Sequence, residues 1–303
     1  MISAVVHTLN EENNITRCLS SLSFADEIIV VDMGSKDGTV ARVKETGARV
    51  YHHPYTGFVE PARNFALNKA RGDWILVADA DEEVPRPLSL LLAEIAGKNE
   101  SAVNFYRIPR KNLVFGKWIK HAGWWPDYQI RFFRKGTISW IDKLHGVPIT
   151  TGEGRELPQQ EESALIHYHY QTVEQFLERM NRYSTIQAKE MYLSNRKFSL
   201  DMLMLNPANE FVRRFFLYEG YRDGLHGLSL SLLQALSETV VALKLWELSN
   251  FQQEAVNLDS FAKLADKESR LRKYWLYNEL LKKKPGILRE LIYRFMRKVA
   301  SYA

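Results

Sequence analysis

Short apolar runs alternate with segments of helical period through the first hundred residues. Residues 2–8 read as a buried strand, 12–22 as a helix, 27–32 as a second strand, 38–46 as a helix and 49–52 as a third short strand. Residues 60–70 follow as a helix with Pro61 in its first turn, and 74–78 as a fourth strand. Alternation of this kind predicts a largely parallel α/β sheet. Each predicted strand ends in polar residues, and in open α/β sheets ligands sit beyond the carboxyl ends of the strands. Those ends therefore outline a pocket.

From residue 103 to about 149 the chain is rich in aromatic and β-branched residues, with turn signals at Phe115-Gly116 and Arg134-Lys135-Gly136. This predicts added strands and loops covering the pocket. After Pro158 the pattern is helical almost to the end, with breaks expected at Asn206-Pro207, Gly224 to Gly227 and Pro285-Gly286. A boundary near residue 170 divides the chain into an α/β domain, 1–170, and a helical region, 171–303.

With 303 residues, 46% hydrophobic and 25% charged, the composition excludes wholesale disorder. Cys18 stands alone, so neither an internal disulfide nor a cysteine zinc cluster is possible, and a reducing compartment is expected. No basic leader or small-residue cleavage site follows Met1, which adds to the expectation of a cytoplasmic protein. The formal charge of +5 is uneven: residues 263–303 carry twelve Lys and Arg against four Asp and Glu, a net +8, leaving −3 for the rest. That basic tail also has apolar residues compatible with helix faces. It reads either as a binder of anionic membrane surface or as a bundle helix with a solvated basic face. Nucleic-acid binding is disfavoured because the rest of the chain is acidic and no reader motif accompanies the tail. No uninterrupted apolar run reaches the roughly 18–20 residues needed to span a bilayer. Residues 225–246 come nearest but contain His226, Gln234, Glu238 and Lys244, so an amphipathic or interfacial helix is expected there.

The most informative stretch is Asp79-Ala80-Asp81-Glu82, at the end of the fourth predicted strand. In an extended chain, residues i and i+2 share a face, so Asp79 and Asp81 would present two carboxylates to one point. Like charges that close call for a cation, and oxygen ligands favour Mg²⁺ or Mn²⁺, which in turn would hold a diphosphate. A solvated acidic turn is the ordinary alternative. Thr8-Leu9-Asn10-Glu11-Glu12 ends the first strand and Val31-Asp32-Met33-Gly34-Ser35-Lys36-Asp37-Gly38-Thr39 ends the second. Asp32 suits a ribose hydroxyl or a base N–H. Neither a Gly-x-Gly-x-x-Gly nor a Gly-Lys-Ser/Thr turn is present, which disfavours a dinucleotide or P-loop site.

These three segments, with Ala62-Arg63-Asn64 between them, resemble the inverting nucleotide-sugar glycosyltransferases of the GT-A fold, family two, in order and spacing. The chain looks most similar to the branch resembling lipopolysaccharide-core β-glucosyltransferases. The match is strong to about residue 170 and looser beyond. Met33 stands where that family usually has a small residue. The resemblance implies a GT-A catalytic domain followed by a helical, membrane-associating region, acting as a hexosyltransferase on a sugar nucleotide such as a UDP-sugar and a lipid-linked glycan at the cytoplasmic membrane face.

Carried over by position, the resemblance puts Thr8, Asn10, Glu11 and Asp32 around the nucleoside, Arg63 on the diphosphate, and Asp79 and Asp81 on the nucleotide and its Mg²⁺ or Mn²⁺. The segment His121 to Phe133 resembles the acceptor side. There Asp127 is the choice for the base that an inverting transfer needs, the alternative being an Asp paired with Arg131. Trp124 and Trp125 suit stacking on a sugar face or core packing, one in each role, and Arg131 either steers an anionic acceptor or anchors Asp127. His145, preferred over His167, would complete the metal shell beside Asp81. A sugar-phosphate nucleotidyltransferase is the runner-up enzyme, although acidic Asn10-Glu11-Glu12 stands where it would need a basic, glycine-rich loop. A nucleotide-binding membrane adaptor is the non-enzymatic alternative.

Overall fold

The computed structural model describes residues 1–56, 59–98, 102–141, 148–253 and 255–301. The chain begins with β1 (Ile2–Thr8), α1 (Ile15–Ser21), β2 (Glu27–Asp32), α2 (Thr39–Glu45) and β3 (Arg49–His52). It continues through α3 (Glu60–Lys69), β4 (Trp74–Asp79), β5 (Glu82–Glu83) and α4 (Arg86–Lys98). Next come β6 (Val103–Val114), β7 (Lys117–Trp118), β8 (Asp127–Arg134), β9 (Ile138–Ser139), β10 (Ile149–Thr150), β11 (Glu153–Glu156) and β12 (Leu165–Tyr170). Five helices complete it: α5 (Val173–Leu193), α6 (Leu200–Val212), α7 (Leu225–Leu248), α8 (Leu258–Lys282) and α9 (Ile287–Ser301).

Two compact units result. One joins Met1–Leu113 to Trp125–His169; the other joins Val114–Trp124 to Tyr170–Ala303. The expectation of a first domain running unbroken to residue 170 is thus corrected at Val114–Trp124, and the hydrogen bonds give the reason. Phe115 N donates to Tyr170 O at 2.7 Å, and Asp223, 4% exposed, accepts His121 N on Oδ2 at 2.8 Å and Lys117 Nζ on its backbone carbonyl at 2.7 Å.

In the first unit the sheet order is β3-β2-β1-β4-β8-β6-β12-β5, with β11 beside β6. The pairs β3–β2, β2–β1 and β1–β4 are parallel, whereas β8 is antiparallel to both β4 and β6. β1 is buried along its whole length, as a central parallel strand covered on both faces must be. Alternation sends successive side chains to opposite faces. Val6, Leu76 and Phe132 join Leu19, Leu88 and Leu92 on one side, while Val5, Ile75 and Phe133 join Ala62 and Ala66 on the other. Trp74 stacks on Phe132 with centroids 4.7 Å apart. The expected departure at Met33 is absorbed by this packing, since Met33 is 8% exposed within the second of these clusters.

Parallel register brings the strand ends level. Thr8 lies opposite Asp32, Asp32 opposite His52, and His7 opposite Asp79. The polar ends therefore share one edge.

The second unit is helical. Thr172, Ser199 and Asn257 cap α5, α6 and α8 by accepting backbone N–H groups of their first turns, at 3.1, 3.2 and 2.8 Å. The break expected at Asn206-Pro207 does not occur. α6 runs through Pro207, held by the buried Met202, Ala208, Phe211 and Val212, and passes into a π-helical turn at Arg213–Leu217. The breaks at Gly224 and Pro285-Gly286 fall between helices as expected. α7, read from sequence as amphipathic or interfacial, is 24 residues long with a mean hydropathy of 1.4 in its most apolar window, enough to cross a membrane by length and composition. Here it packs on α5 and α6, burying Leu230, Val241 and Leu245 while exposing Leu225, Leu232, Leu236 and Leu243.

Candidate active site

Two loops close the edge at β1 and β2. Asn10, at φ +57°, donates its N–H to Ser35 Oγ at 2.9 Å and accepts Lys36 N on Oδ1 at 2.8 Å. Glu11 N donates to Thr39 Oγ1 at 2.8 Å, and Glu12 N to Asp37 Oδ2 at 3.1 Å. Glu12 Oε2 accepts Gly38 N at 3.0 Å; a Cβ at Gly38 would lie 2.7 Å from that carboxyl group and would displace it. Asp32, 2% exposed, accepts Gly34 N at 3.1 Å and Ser35 N at 3.2 Å, and faces His52 Nδ1 at 3.3 Å. Asn10 and Asp32 thus shape the loops at the ends of β1 and β2. The Thr8 hydroxyl is buried and, among the described residues, meets no hydrogen-bond partner.

Beside them is a dense ionic cluster. β4 ends at Asp79, and Ala80 and Asp81 form a turn. The strand alternation that would have aimed Asp79 and Asp81 at one point therefore stops at Asp79, and the two carboxylates meet different partners. Asp79 Oδ1 pairs with Arg63 Nη2 at 3.2 Å and Oδ2 with Arg131 Nη2. Burial works against ionisation of Asp79, but Arg131 and Arg63 outweigh it and hold its carboxyl well below the usual carboxylate range. Glu82, fully buried, accepts Asp79 N on Oε2 at 2.9 Å, and Arg131 and Arg110 on Oε1 at 2.7 and 3.1 Å. His7, beneath the cluster, is 3% exposed; burial, then Arg63, depresses its pKa to about 3, so it is neutral.

Two expectations for Arg131 are corrected here. It is 3% exposed and engaged with Asp79 and Glu82, so it neither reaches toward an acceptor nor anchors Asp127. The partner of Asp127 is Arg110, directly opposite in the β6–β8 register. Asp127 Oδ2 accepts Arg110 Nε at 2.8 Å and Asn112 Nδ2 at 3.1 Å, while Oδ1 accepts Gln129 Nε2 at 2.7 Å. Burial opposes the charge, yet Arg110 and the Asn112 amide prevail and lower the pKa of Asp127. Its side chain remains 24% exposed.

Asp81 is drawn to β12. Its carbonyl accepts Tyr168 N at 2.9 Å, and its Oδ2 lies 3.4 Å from His167 Nε2. His145 lies outside the described residues, whereas His167 is placed against Asp81. Among the described residues no group of three His, Cys, Asp or Glu is gathered as a metal cage. A carboxylate facing an imidazole nitrogen nevertheless suits Mg²⁺ or Mn²⁺, because such ions commonly take one or two protein ligands and complete their shell with water and substrate phosphate. The tryptophans separate. Trp124 packs with Val114, Tyr170 and Phe176, edge-on to Tyr170 at 6.4 Å, in the second unit; Trp125 belongs to the first and is partly exposed.

Residues 3–151 match the family described as Glycosyl transferase family 2. The chain carries a glycosyltransferase family 2 domain. Its fold is GT-A, with the parallel half of the sheet supplying the edge at Thr8, Asp32 and Asp79. The nucleotidyltransferase and adaptor readings give way to a glycosyltransferase. The chain is 26% identical to the lipopolysaccharide core biosynthesis glycosyltransferase LpsC of Rhizobium meliloti over 253 residues, covering 81% of this chain and 92% of that protein. It is 28% identical to the uncharacterised glycosyltransferase RT0209 of Rickettsia typhi over 273 residues, covering 86% and 91%. Among solved structures it is similar to glucosyl-3-phosphoglycerate synthase from Mycobacterium tuberculosis in complex with Mn²⁺, uridine diphosphate and glucosyl-3-phosphoglycerate. That match has 28% identity and a TM-score of 0.32, and covers 36% of this chain and 44% of that one, less than half of either.

Sequence reasoning on the family 2 domain missed Arg110, Asn112 and a role for Glu82. The available signal was Arg110-x-Asn112, two polar residues on one face of a β-rich run; their partners lie too far along the chain for a local pattern to reveal.

Proposed function

We propose that the protein is a metal-dependent, inverting hexosyltransferase that moves a sugar from a UDP-sugar to a lipid-linked glycan, such as a lipopolysaccharide core, at the cytoplasmic face of a membrane. The observation that carries this is that the Arg63–Asp79 pair, Asp127 and the Asp81–His167 pair are linked within the first unit, Asp79 to Asp127 through Arg131, Glu82 and Arg110, and Asp127 to His167 through Asn112. Thr8, Asn10, Glu11 and Asp32 would border the nucleoside, and the unpartnered Thr8 hydroxyl offers it a hydrogen bond. Arg63, 15% exposed, reaches the edge where the diphosphate would lie. Asp81 and His167 would hold the ion; when bound, Mg²⁺ or Mn²⁺ neutralises charge that grows on the departing diphosphate. Asp127 takes the acceptor hydroxyl's proton on Oδ1, since Oδ2 is committed to Arg110 and Asn112 and only Gln129 need yield. Trp125 offers a partly exposed ring to the acceptor.

The test is release of UDP from UDP-glucose with Mn²⁺, with and without a lipid-linked glycan acceptor. Wild type should release UDP and Asp81→Ala should lose at least about a hundredfold of that rate. Equal rates in the two proteins would overturn the assignment.

The helix α9 supports the membrane part of the reading. Tyr293, Met296 and Ala300 turn inward, Tyr293 lying 5.8 Å from the Tyr277 ring of α8. The opposite face exposes Ile287, Leu288, Leu291, Ile292, Phe295 and Val299, from 49% to 83%. At 100° per residue these six fall within an arc of about 140°, with Lys298 just inside one edge, Arg294 just outside that edge and Arg289 beyond the other. Apolar residues rimmed by cations match an anionic lipid surface. Leu291→Glu with Phe295→Glu, both surface changes, is expected to reduce flotation with phosphatidylglycerol vesicles at least about tenfold, since each large apolar side chain contributes about 1.5–3 kcal/mol when buried. Unchanged flotation would remove α9 from the membrane reading.

A further inference from the structure

Asn112, 1% exposed on β6, touches both halves of the chemistry. Its Nδ2 lies 3.1 Å from Asp127 Oδ2 and its Oδ1 lies 2.6 Å from His167 Nδ1. The orientation of the amide follows from donor and acceptor rules. An ionised carboxylate only accepts, so the group facing Asp127 must be the NH₂, and the carbonyl must then face His167. That carbonyl in turn needs a proton on His167 Nδ1. A neutral His167 is therefore held as the Nδ1–H tautomer, with its lone pair on Nε2, the nitrogen that faces Asp81 at 3.4 Å and His169 Nδ1 at 3.2 Å.

We propose that Asn112 is a positioning residue that sets the ion site and the base with one side chain: its carbonyl fixes the ligating tautomer of His167, and its amide steadies Oδ2 of Asp127. The topology makes this possible, because β6 lies between β8, which carries Asp127, and β12, which carries His167. A histidine that binds a metal ion commonly donates its other N–H to a fixed acceptor, and loss of that acceptor typically weakens metal binding about 10–100-fold. Arg110 shares the work at Asp127, through Nε at 2.8 Å, but its other hydrogen bond goes to Glu82. Asn112 alone among the described residues joins the two by hydrogen bonds. The inference rests on the proposed roles of His167 and Asp127.

Two substitutions in the full-length chain separate the two halves. Asn112→Leu removes both contacts; Mn²⁺ affinity, measured by electron paramagnetic resonance without donor, should fall about 10–100-fold, and kcat should fall with it. Asn112→Asp keeps an oxygen to accept His167 Nδ1–H but loses the amide that donates to Asp127. It should hold Mn²⁺ within about threefold of wild type while kcat falls at least about tenfold at unchanged KM for the donor. A merely structural Asn112 would lower Tm in both variants and leave Mn²⁺ affinity of the folded protein unmoved. Wild-type Mn²⁺ affinity in Asn112→Leu, or full kcat in Asn112→Asp, overturns the proposal. Should neither variant fold, nitrogen NMR of ¹⁵N-histidine in the wild-type chain decides. With His167 assigned by His167→Gln at a pH where it is neutral and without metal, a proton on Nδ1 supports the proposal and a proton on Nε2 overturns it. If wild type itself binds no Mn²⁺, the ion site fails first, and the NMR result still judges Asn112.

Discussion

Asp127→Asn lowers kcat by about 10²–10⁴-fold and leaves the KM for donor nearly unchanged, the range by which a positioned base accelerates a proton transfer. The substitution is nearly isosteric, and its amide oxygen still accepts from Arg110, whose second carboxylate partner, Glu82, is untouched. Folding should therefore survive, and a Tm within a few degrees of wild type separates lost chemistry from lost structure. The pH profile carries the same argument. The base must be ionised, and Arg110 and Asn112 lower the pKa of Asp127 despite burial. Its active form is then fully present above the ordinary carboxylate value of about 3.9 and is lost only as pH falls through a lower one. Between about pH 5.5 and 8, no acid limb in kcat/KM should come from this group. An apparent pKa of 6–7 that disappears in Asp127→Asn would assign it a different environment. Weak basicity is no obstacle, because the acceptor hydroxyl becomes acidic only as its oxygen bonds to the anomeric carbon.

Much of the first unit could be read directly from local pattern. Residues 2–8, 27–32 and 49–52 are strands at their predicted bounds; the first two are apolar runs with polar ends, as parallel strands inside a sheet covered on both faces must be, whereas 49–52 is a partly exposed strand at the sheet edge. The helices at 12–22 and 38–46 came out shorter, as Ile15–Ser21 and Thr39–Glu45, since Glu12 and Gly38 are spent tying two loops together. Candidate residues gathered where strand ends meet. Their partners were illegible for a physical reason: Arg131 meets Asp79 from 52 positions away, and Asn112 meets His167 from 55. Strand alternation also misled at Asp81, where β4 had already ended, and composition could not show that a proline inside α6 is tolerated by the packing around it. Arg131 was identified as an important cation but given the wrong work, because sequence says that a guanidinium is present and not which carboxylate neutralises it.

Arg131 is where the largest stability effect is expected. Its side chain, 4% exposed, pairs with Asp79 and with Glu82, itself fully buried. Arg131→Met leaves those carboxylates with Arg63 and Arg110 alone, and breaking a buried pair from one side costs about 3–5 kcal/mol. Against a total stability of about 5–15 kcal/mol, that should lower the calorimetric transition of the first unit by roughly 6–20 °C. The sign of the pH dependence identifies the cause. Burial raises the pKa of Asp79, but Arg131 and Arg63 depress it overall, so the wild-type contribution is complete above about pH 3.9 and is lost as pH falls through the folded-state value. In Arg131→Met, Asp79 takes up its proton at higher pH, and protonation relieves its missing partner. The gap between wild type and variant should therefore narrow as pH falls from 7 toward 4, whereas a defect of packing alone would keep it constant. Arg131→Lys tests the geometry: it restores the charge but not the fork that spans Asp79 and Glu82, and should recover only part of the loss.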